Sequence, residues 1–272
     1  MYKRKAINQY RHTLSDRESR ILSSLSYGGS TIFTTRDMRG LVAKPKNILD
    51  NLVRKRWILK LRRGVYVIVP LEAGEKGAED YTIHGFVIAS FLVNPYYIGY
   101  WSALNYHGFT EQTPSSVYVA TTKPKNSRTI LNTRFVFVTI PKDKVFGLQE
   151  EEVEKWNVKI SSPEKTVVDC LDHPEHCGGT EEVAKAIYFS RDQLDFKKVI
   201  SFAKRIGNNT VIKRLGFIAE TLAIEDCSKL LSNVTLKSGY SLLDPTLPRK
   251  GRIKEKWKLI INAPIEVKRW TV

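Results

Sequence analysis

The sequence predicts an α+β protein in two parts: a small N-terminal domain over residues 1–72 and a larger mixed α/β C-terminal domain over 73–272. Three observations predict it. Charge is uneven, because residues 1–69 hold 16 Lys/Arg against four Asp/Glu, so +12 of the chain's +16 sits in a quarter of its length. Within that quarter the hydrophobic period is helical and then shortens to about two residues, as in a hairpin. In the remainder, strand-like and helix-like segments are mixed and end in clustered helices, the pattern of sheet and helix layers around one core.

The N-terminal elements follow in order. Ser15-Asp16-Arg17-Glu18 has the spacing of a capping box, with Ile21, Leu22 and Leu25 on one stripe behind it. Tyr27-Gly28-Gly29-Ser30 stops that helix, and Ile32-Phe33 is a short apolar stretch. Thr34 or Thr35 can cap a second short helix through Met38, ended by Gly40. Pro45 suits the first turn of a third helix, where its missing N–H is harmless. There Ile48, Leu49, Leu52 and Val53 face inward, leaving Lys46, Asn47, Asn51, Arg54 and Lys55 outward. After Trp57 two apolar runs flank Arg62-Arg63-Gly64, a hairpin with a cationic tip. Helix, helix, basic helix and basic hairpin in that order make a winged helix-turn-helix.

Double-stranded DNA is the partner this pattern fits. Asn pairs with adenine and Arg with guanine through two hydrogen bonds, while Lys and Arg hold phosphates and fix the register. The candidate contacts are Thr35, Arg36, Lys44, Lys46, Asn47, Asn51, Arg54, Lys55, Arg62 and Arg63, with Tyr2-Lys3-Arg4-Lys5 as a further basic arm.

Residues 71–77 are polar with two glycines and read as the hinge. Beyond it the sequence predicts helices over 81–92, 101–107, 163–171, 181–189, 196–206 and 210–224. Strands are expected over 116–120, 135–140, 158–160 and 257–261. Residues 123–133 read as a loop, and Glu150-Glu151-Glu152 as a solvated helix start. No apolar run has the length of a membrane span, and the charged N-terminus lacks a signal region, so a cytoplasmic protein is expected. Three cysteines give no disulfide framework.

Chemistry in the second domain is sparse. Cys170, His173, His176 and Cys177 are metal-type residues, but they crowd into eight positions around Pro174, unlike the two separated pairs of a tetrahedral zinc site. Glu266-Val267-Lys268 has the Glu-x-Lys spacing of metal-dependent nucleases. On a strand both side chains would share a face, with Asp244 the nearest upstream carboxylate. The better reading is a solvated strand end. No phosphate-binding glycine loop or nucleophile elbow is present, so no catalytic residue, metal or cofactor is expected.

Three segments together resemble the AbiEi family. They are Tyr97-Ile98-Gly99-Tyr100-Trp101-Ser102-Ala103-Leu104-Asn105-Tyr106-His107-Gly108, then Ser162-Pro163-Glu164-Lys165-Thr166-Val167-Val168-Asp169-Cys170-Leu171-Asp172, and Leu243-Asp244-Pro245-Thr246-Leu247-Pro248 followed by Trp257. Gly178-Gly179 and the Gly64-x-Tyr66 hairpin accompany them, and the likeness spans about residues 14–262. That family comprises antitoxins and transcriptional regulators of abortive-infection (type IV toxin–antitoxin) systems. The resemblance implies a repressor that binds inverted repeats in its own promoter, as a monomer or dimer on DNA. It also implies counteraction of a nucleotidyltransferase-type toxin encoded next door, with no catalytic residues. The alternatives are a nuclease guided by the winged helix, or a stand-alone repressor whose body senses a ligand or dimerises.

Overall fold

The computed structural model describes residues 10–270 apart from 28, 30, 78–80, 232 and 233. The basic segment 2–5, and Gly28 and Ser30 of the first helix stop, lie outside the described residues. The chain divides into two compact units, Met1–His84 and Gly85–Val272. Nine α-helices and three sheets occur among the described residues, a mixed α/β composition compatible with α+β.

The first unit is built from α1 (Asp16–Ser26), β1 (Ile32–Thr34), α2 (Pro45–Arg54), β2 (Ile58–Arg62) and β3 (Val65–Ile68). The capping box that starts α1 is complete: Ser15 N–H donates to Glu18 Oε2 at 2.8 Å, and Glu18 N–H donates to Ser15 Oγ at 3.4 Å. The strands form one antiparallel sheet in the order β1-β3-β2. Its core gathers Ile21, Leu22, Phe33, Leu49, Leu52 and Ile58, so the apolar stripes of both helices meet the sheet.

The helix expected over 34–38 is a run of turns instead. Its bonds close over three residues, Asp37 to Thr34 at 3.1 Å and Arg39 to Arg36 at 3.0 Å. The Asp37 carboxylate also accepts from the Thr34 N–H and hydroxyl, at 2.6 and 2.9 Å. This local loop competes with the four-residue bonding of a helix, and Gly40 at φ +88° ends the segment before a second turn forms. Met38 is nevertheless fully buried. The expected hinge, residues 71–77, begins with a one-turn 3-10 helix (Leu71–Ala73). The N–H of Arg11 donates to Glu75 O at 3.0 Å, so this segment is bonded into the first unit.

The second unit centres on a six-stranded sheet in the order β6-β7-β5-β4-β9-β8. These strands are β4 (Tyr96–Ile98), β5 (Ser116–Thr121), β6 (Arg128–Ile130), β7 (Thr133–Thr139), β8 (Leu148–Val153) and β9 (Trp156–Ser161). β5 pairs parallel with β7 and β4 with β9; the other pairs are antiparallel. The residues 150–152 expected to start a helix lie in β8. Its antiparallel register sets Glu150 opposite Lys159, with an ion pair at 3.8 Å, while Glu151 and Glu152 face Val158 and Asn157. The expected loop 123–133 contains the short strand β6.

The helices are α3 (Gly85–Leu92), α4 (Tyr100–Tyr106), α5 (Pro163–Asp172), α6 (Thr180–Ser190), α7 (Phe196–Ile206), α8 (Asn209–Thr221) and α9 (Glu225–Leu231). Helix α5 is the hub. It packs against α4, α6, α7 and α8, and all of its residues except Pro163 are buried. The third sheet, β10-β12-β11, comprises β10 (Ser241–Leu242), β11 (Arg252–Lys254) and β12 (Leu259–Ile261). Trp257, expected to open a strand, closes a 3-10 turn before β12 and lies against Gly216 of α8, where a Cβ would come within 2.1 Å of the indole.

Glu220 of α8 ties this sheet down. It accepts from Trp257 Nε1 at 2.8 Å and pairs with Lys254 at 2.7 Å and Lys256 at 2.6 Å. The bonds from Lys254 and Lys256 pull its carboxyl down to about 2. A carboxyl depressed on folding contributes stability that is present above its unfolded pKa, about 4.3, and lost as pH falls toward the folded value. The indole environment of Trp257 is therefore expected to loosen between about pH 4.5 and 2. Trp257 fluorescence titrated in parallel with Glu220→Gln checks this, since that variant should lose the transition in this window. Identical titrations would remove the assignment.

Candidate nucleic-acid interface

The cationic surface of the first unit is built from three short segments. Pro45 opens α2 with its N–H already absent, and Leu49 and Leu52 anchor the inner face of the helix. Gly64 turns the hairpin between β2 and β3 at φ +79°, a conformation that L side chains resist. The N–H of Thr35 donates to Gly64 O at 3.0 Å, which fixes the turn after β1 against the hairpin tip. One groove results, lined by Thr35, Lys46, Lys60, Arg63 and Tyr66 and by one carboxylate, Asp50.

The ten candidate contacts divide accordingly. Thr35, Lys46 and Arg63 are brought together in the groove. Arg36, Lys44, Asn47, Arg54 and Arg62 are exposed on the same unit without lining it. Asn51 is half-buried, and its Oδ1 accepts from Arg54 Nη2 at 2.9 Å, so the two polar tips form one hydrogen-bonded pair.

Lys55 has a partner within the unit. Its Nζ lies 2.5 Å from Glu18 Oε2, and Glu18 is only 5% exposed. Burial opposes the charge on Glu18, but bonds from Lys55 and from the Ser15 N–H and hydroxyl outweigh it and hold the carboxyl below its ordinary value. The Lys55 charge thus clamps the C-terminal end of α2 to the start of α1.

Lys60 and Tyr66 were missed for a definable reason. Strict alternation along β2 would set Lys60 and Arg62 on one face. A register shift between Lys60 and Arg62 breaks that parity, so Arg63 rather than Arg62 shares the groove with Lys60. Nothing in the local sequence announces the bulge. Burial first, and then the Asp50 charge, raise the Tyr66 phenol above its ordinary value. Tyr66 therefore serves as a neutral hydroxyl beside the cations.

No family model matches the chain, and no curated protein matches it. Its fold is similar to the crystal structure of the Rv2827c protein from Mycobacterium tuberculosis. The two share 12% identity, with 93% of this chain and 94% of that one covered at a TM-score of 0.67. At that identity the likeness concerns the fold, across both units.

The residues weighed for nuclease chemistry are placed differently from the expectation. Glu266 precedes a 3-10 turn (Val267–Arg269), not a strand, and pairs with Arg269 at 2.6 Å. Asp244 is buried and accepts from the N–H groups of Thr180 at 2.6 Å and Thr246 at 2.8 Å. Its oxygens hold the start of α6 and the 244–246 turn in place. The Glu-x-Lys geometry on a common strand face is absent from these residues. Among the described residues no helix is long and apolar enough to cross a membrane.

Proposed function

We propose that the first unit is a winged helix-turn-helix that binds double-stranded DNA. In this reading α2 is the recognition helix and the β2–β3 hairpin is the wing. The observation that carries it is the groove that sets Lys46, Lys60 and Arg63 side by side between helix and hairpin tip, in the segment holding +12 of the chain's charge. The turn segment 35–41 stands where the first helix of the motif would be, and the sheet supports α2 in its place.

On this reading, and on the resemblance to the AbiEi family, the chain represses its own operon and counteracts a nucleotidyltransferase-type toxin. The DNA half is tested by fluorescence anisotropy. The probes are a duplex from immediately upstream of the chain's reading frame and a scrambled duplex of equal composition. Asn47 is exposed on α2, so Asn47→Ala is expected to cost about 1–3 kcal/mol on the upstream duplex and little on the scrambled one. Equal losses on both would mean that Asn47 reads no base.

The antitoxin half is tested by growth. The neighbouring gene is induced alone, with the full chain, and with the Lys46→Ala/Arg63→Ala chain. Arrest rescued by both chains supports an antitoxin whose action is separable from DNA binding. A harmless neighbour, or arrest that neither chain relieves, removes the antitoxin reading and leaves the DNA reading standing.

A further inference from the structure

The 3-10 turn after α5 gathers three metal-type donors. His173 precedes the turn Pro174–His176, which carries Glu175 and His176. Residues three apart eclipse one another on a 3-10 helix, so His173 and His176 share a face. Their rings are stacked at 5.9 Å between centroids, and one donor atom each from His173, Glu175 and His176 lies within 4.8 Å of the others.

The surroundings orient these donors. His173 Nδ1 lies 2.9 Å from Glu175 Oε1. Its other nitrogen, Nε2, faces Asp172 Oδ2 at 3.6 Å. Asp172 is itself fixed by Lys144 at 2.6 Å and by Asn208 Nδ2 at 2.7 Å. At 3.6 Å the Asp172 carboxylate acts on the imidazole through its charge and not through a hydrogen bond, and that charge favours a proton on the nitrogen turned toward it. The ring of His176 is set by Tyr100 and Tyr118, at 5.4 and 5.9 Å. Lys144 is the nearby opposing cation, and it is paired with Asp172. Arg214 is turned to the carbonyls of Leu171 and Leu243.

We propose that His173 Nδ1, Glu175 and His176 bind one divalent first-row transition ion, with zinc the best fit. Two imidazoles and a carboxylate are borderline donors that suit zinc over magnesium or calcium. Binding replaces the 2.9 Å contact between His173 Nδ1 and Glu175, and any proton in it passes to solvent. The His173 ring proton then sits on Nε2, facing Asp172. Three protein ligands leave the fourth position to water or an anion, the arrangement of open zinc sites. Cys170 and Cys177, the other two metal-type residues of that stretch, are fully buried in the core and are not part of this site.

The test is calorimetric titration of the full chain with zinc chloride, with magnesium chloride alongside. One zinc per chain and no magnesium heat are expected. Glu175→Gln removes an exposed ligand charge without disturbing the core, and His176→Asn removes an imidazole. Each should weaken zinc at least about tenfold. Cobalt substitution reads the donor type, and the expected spectrum lacks thiolate charge transfer. Cys177→Ser should leave stoichiometry and affinity unchanged. No zinc binding, binding indifferent to Glu175→Gln and His176→Asn, or a cobalt–thiolate band would each overturn the site.

Discussion

Lys165→Met is expected to destabilise the second unit by about 3–5 kcal/mol, because it leaves a buried carboxylate without its cation. Lys165 is fully buried, and its Nζ is ion-paired with Asp169 one turn along α5. It donates to Tyr97 Oη at 3.1 Å, and the Tyr97 hydroxyl donates to Asp169 Oδ2 at 2.9 Å. The ammonium also lies 4.9 Å from the Phe146 ring. This closed triad joins the hub helix to the central strand β4. For a unit of 188 residues the loss corresponds to a midpoint lower by roughly 10 °C. Burial already raises the Asp169 carboxyl against the pull of Lys165. Without Lys165 that rise should grow, and a raised carboxyl disfavours folding only where the unfolded group is ionised. The deficit of Lys165→Met should therefore shrink as pH falls toward the unfolded value near 4. Lys165→Met with Asp169→Leu should cost much less than the two single changes added, since an ion pair replaced by apolar groups leaves no stranded charge. Thermal and denaturant unfolding of the four proteins measures the coupling. Additive losses would show that the triad is not a unit.

How much of this was legible in the sequence depends on the range of the deciding interaction. Local signals read well: the Ser15/Glu18 box, Pro45 at the head of α2, and the helix over 196–206, which the structure shows capped by Asp195 and closed by Gly207 at φ +75°. Failures came where a distant or competing partner decided. Residues 34–38 carry helix-cap chemistry, but the Asp37 carboxylate turns back on Thr34. Glu150 and Glu152 suit a helix start, yet β9 presents Lys159 and Asn157 opposite them. Lys55 has the sequence of an outward cation, and only the fold brings Glu18 beneath it, 37 residues away. The groove was half legible. The helix and the hairpin tip were foreseen, while the register shift that selects Arg63 over Arg62 has no local signature.

If the groove carries the backbone contacts proposed for it, Lys46→Ala with Arg63→Ala should weaken binding to every duplex alike. Each phosphate contact contributes about 0.9 to the slope of log affinity against log salt, so removing two should flatten that slope by nearly two. At about 0.15 M salt the counterion-release contribution is roughly fivefold per contact, or about thirtyfold for the pair. Both side chains line the groove from opposite sides, Lys46 from the first turn of α2 and Arg63 from the hairpin tip. Neither is among the ion pairs found in the described residues, so stability should change little. Lys55→Met is the informative contrast. Its amine is spent on buried Glu18, so its loss should lower the unfolding midpoint of the first unit and barely alter the salt slope. Anisotropy titrations across salt concentrations, paired with thermal unfolding of the same proteins, separate the two effects. A slope unchanged in the groove variant would move the phosphate track off the groove. A slope that flattens instead in Lys55→Met would return Lys55 to the DNA surface and break its assignment as a clamp.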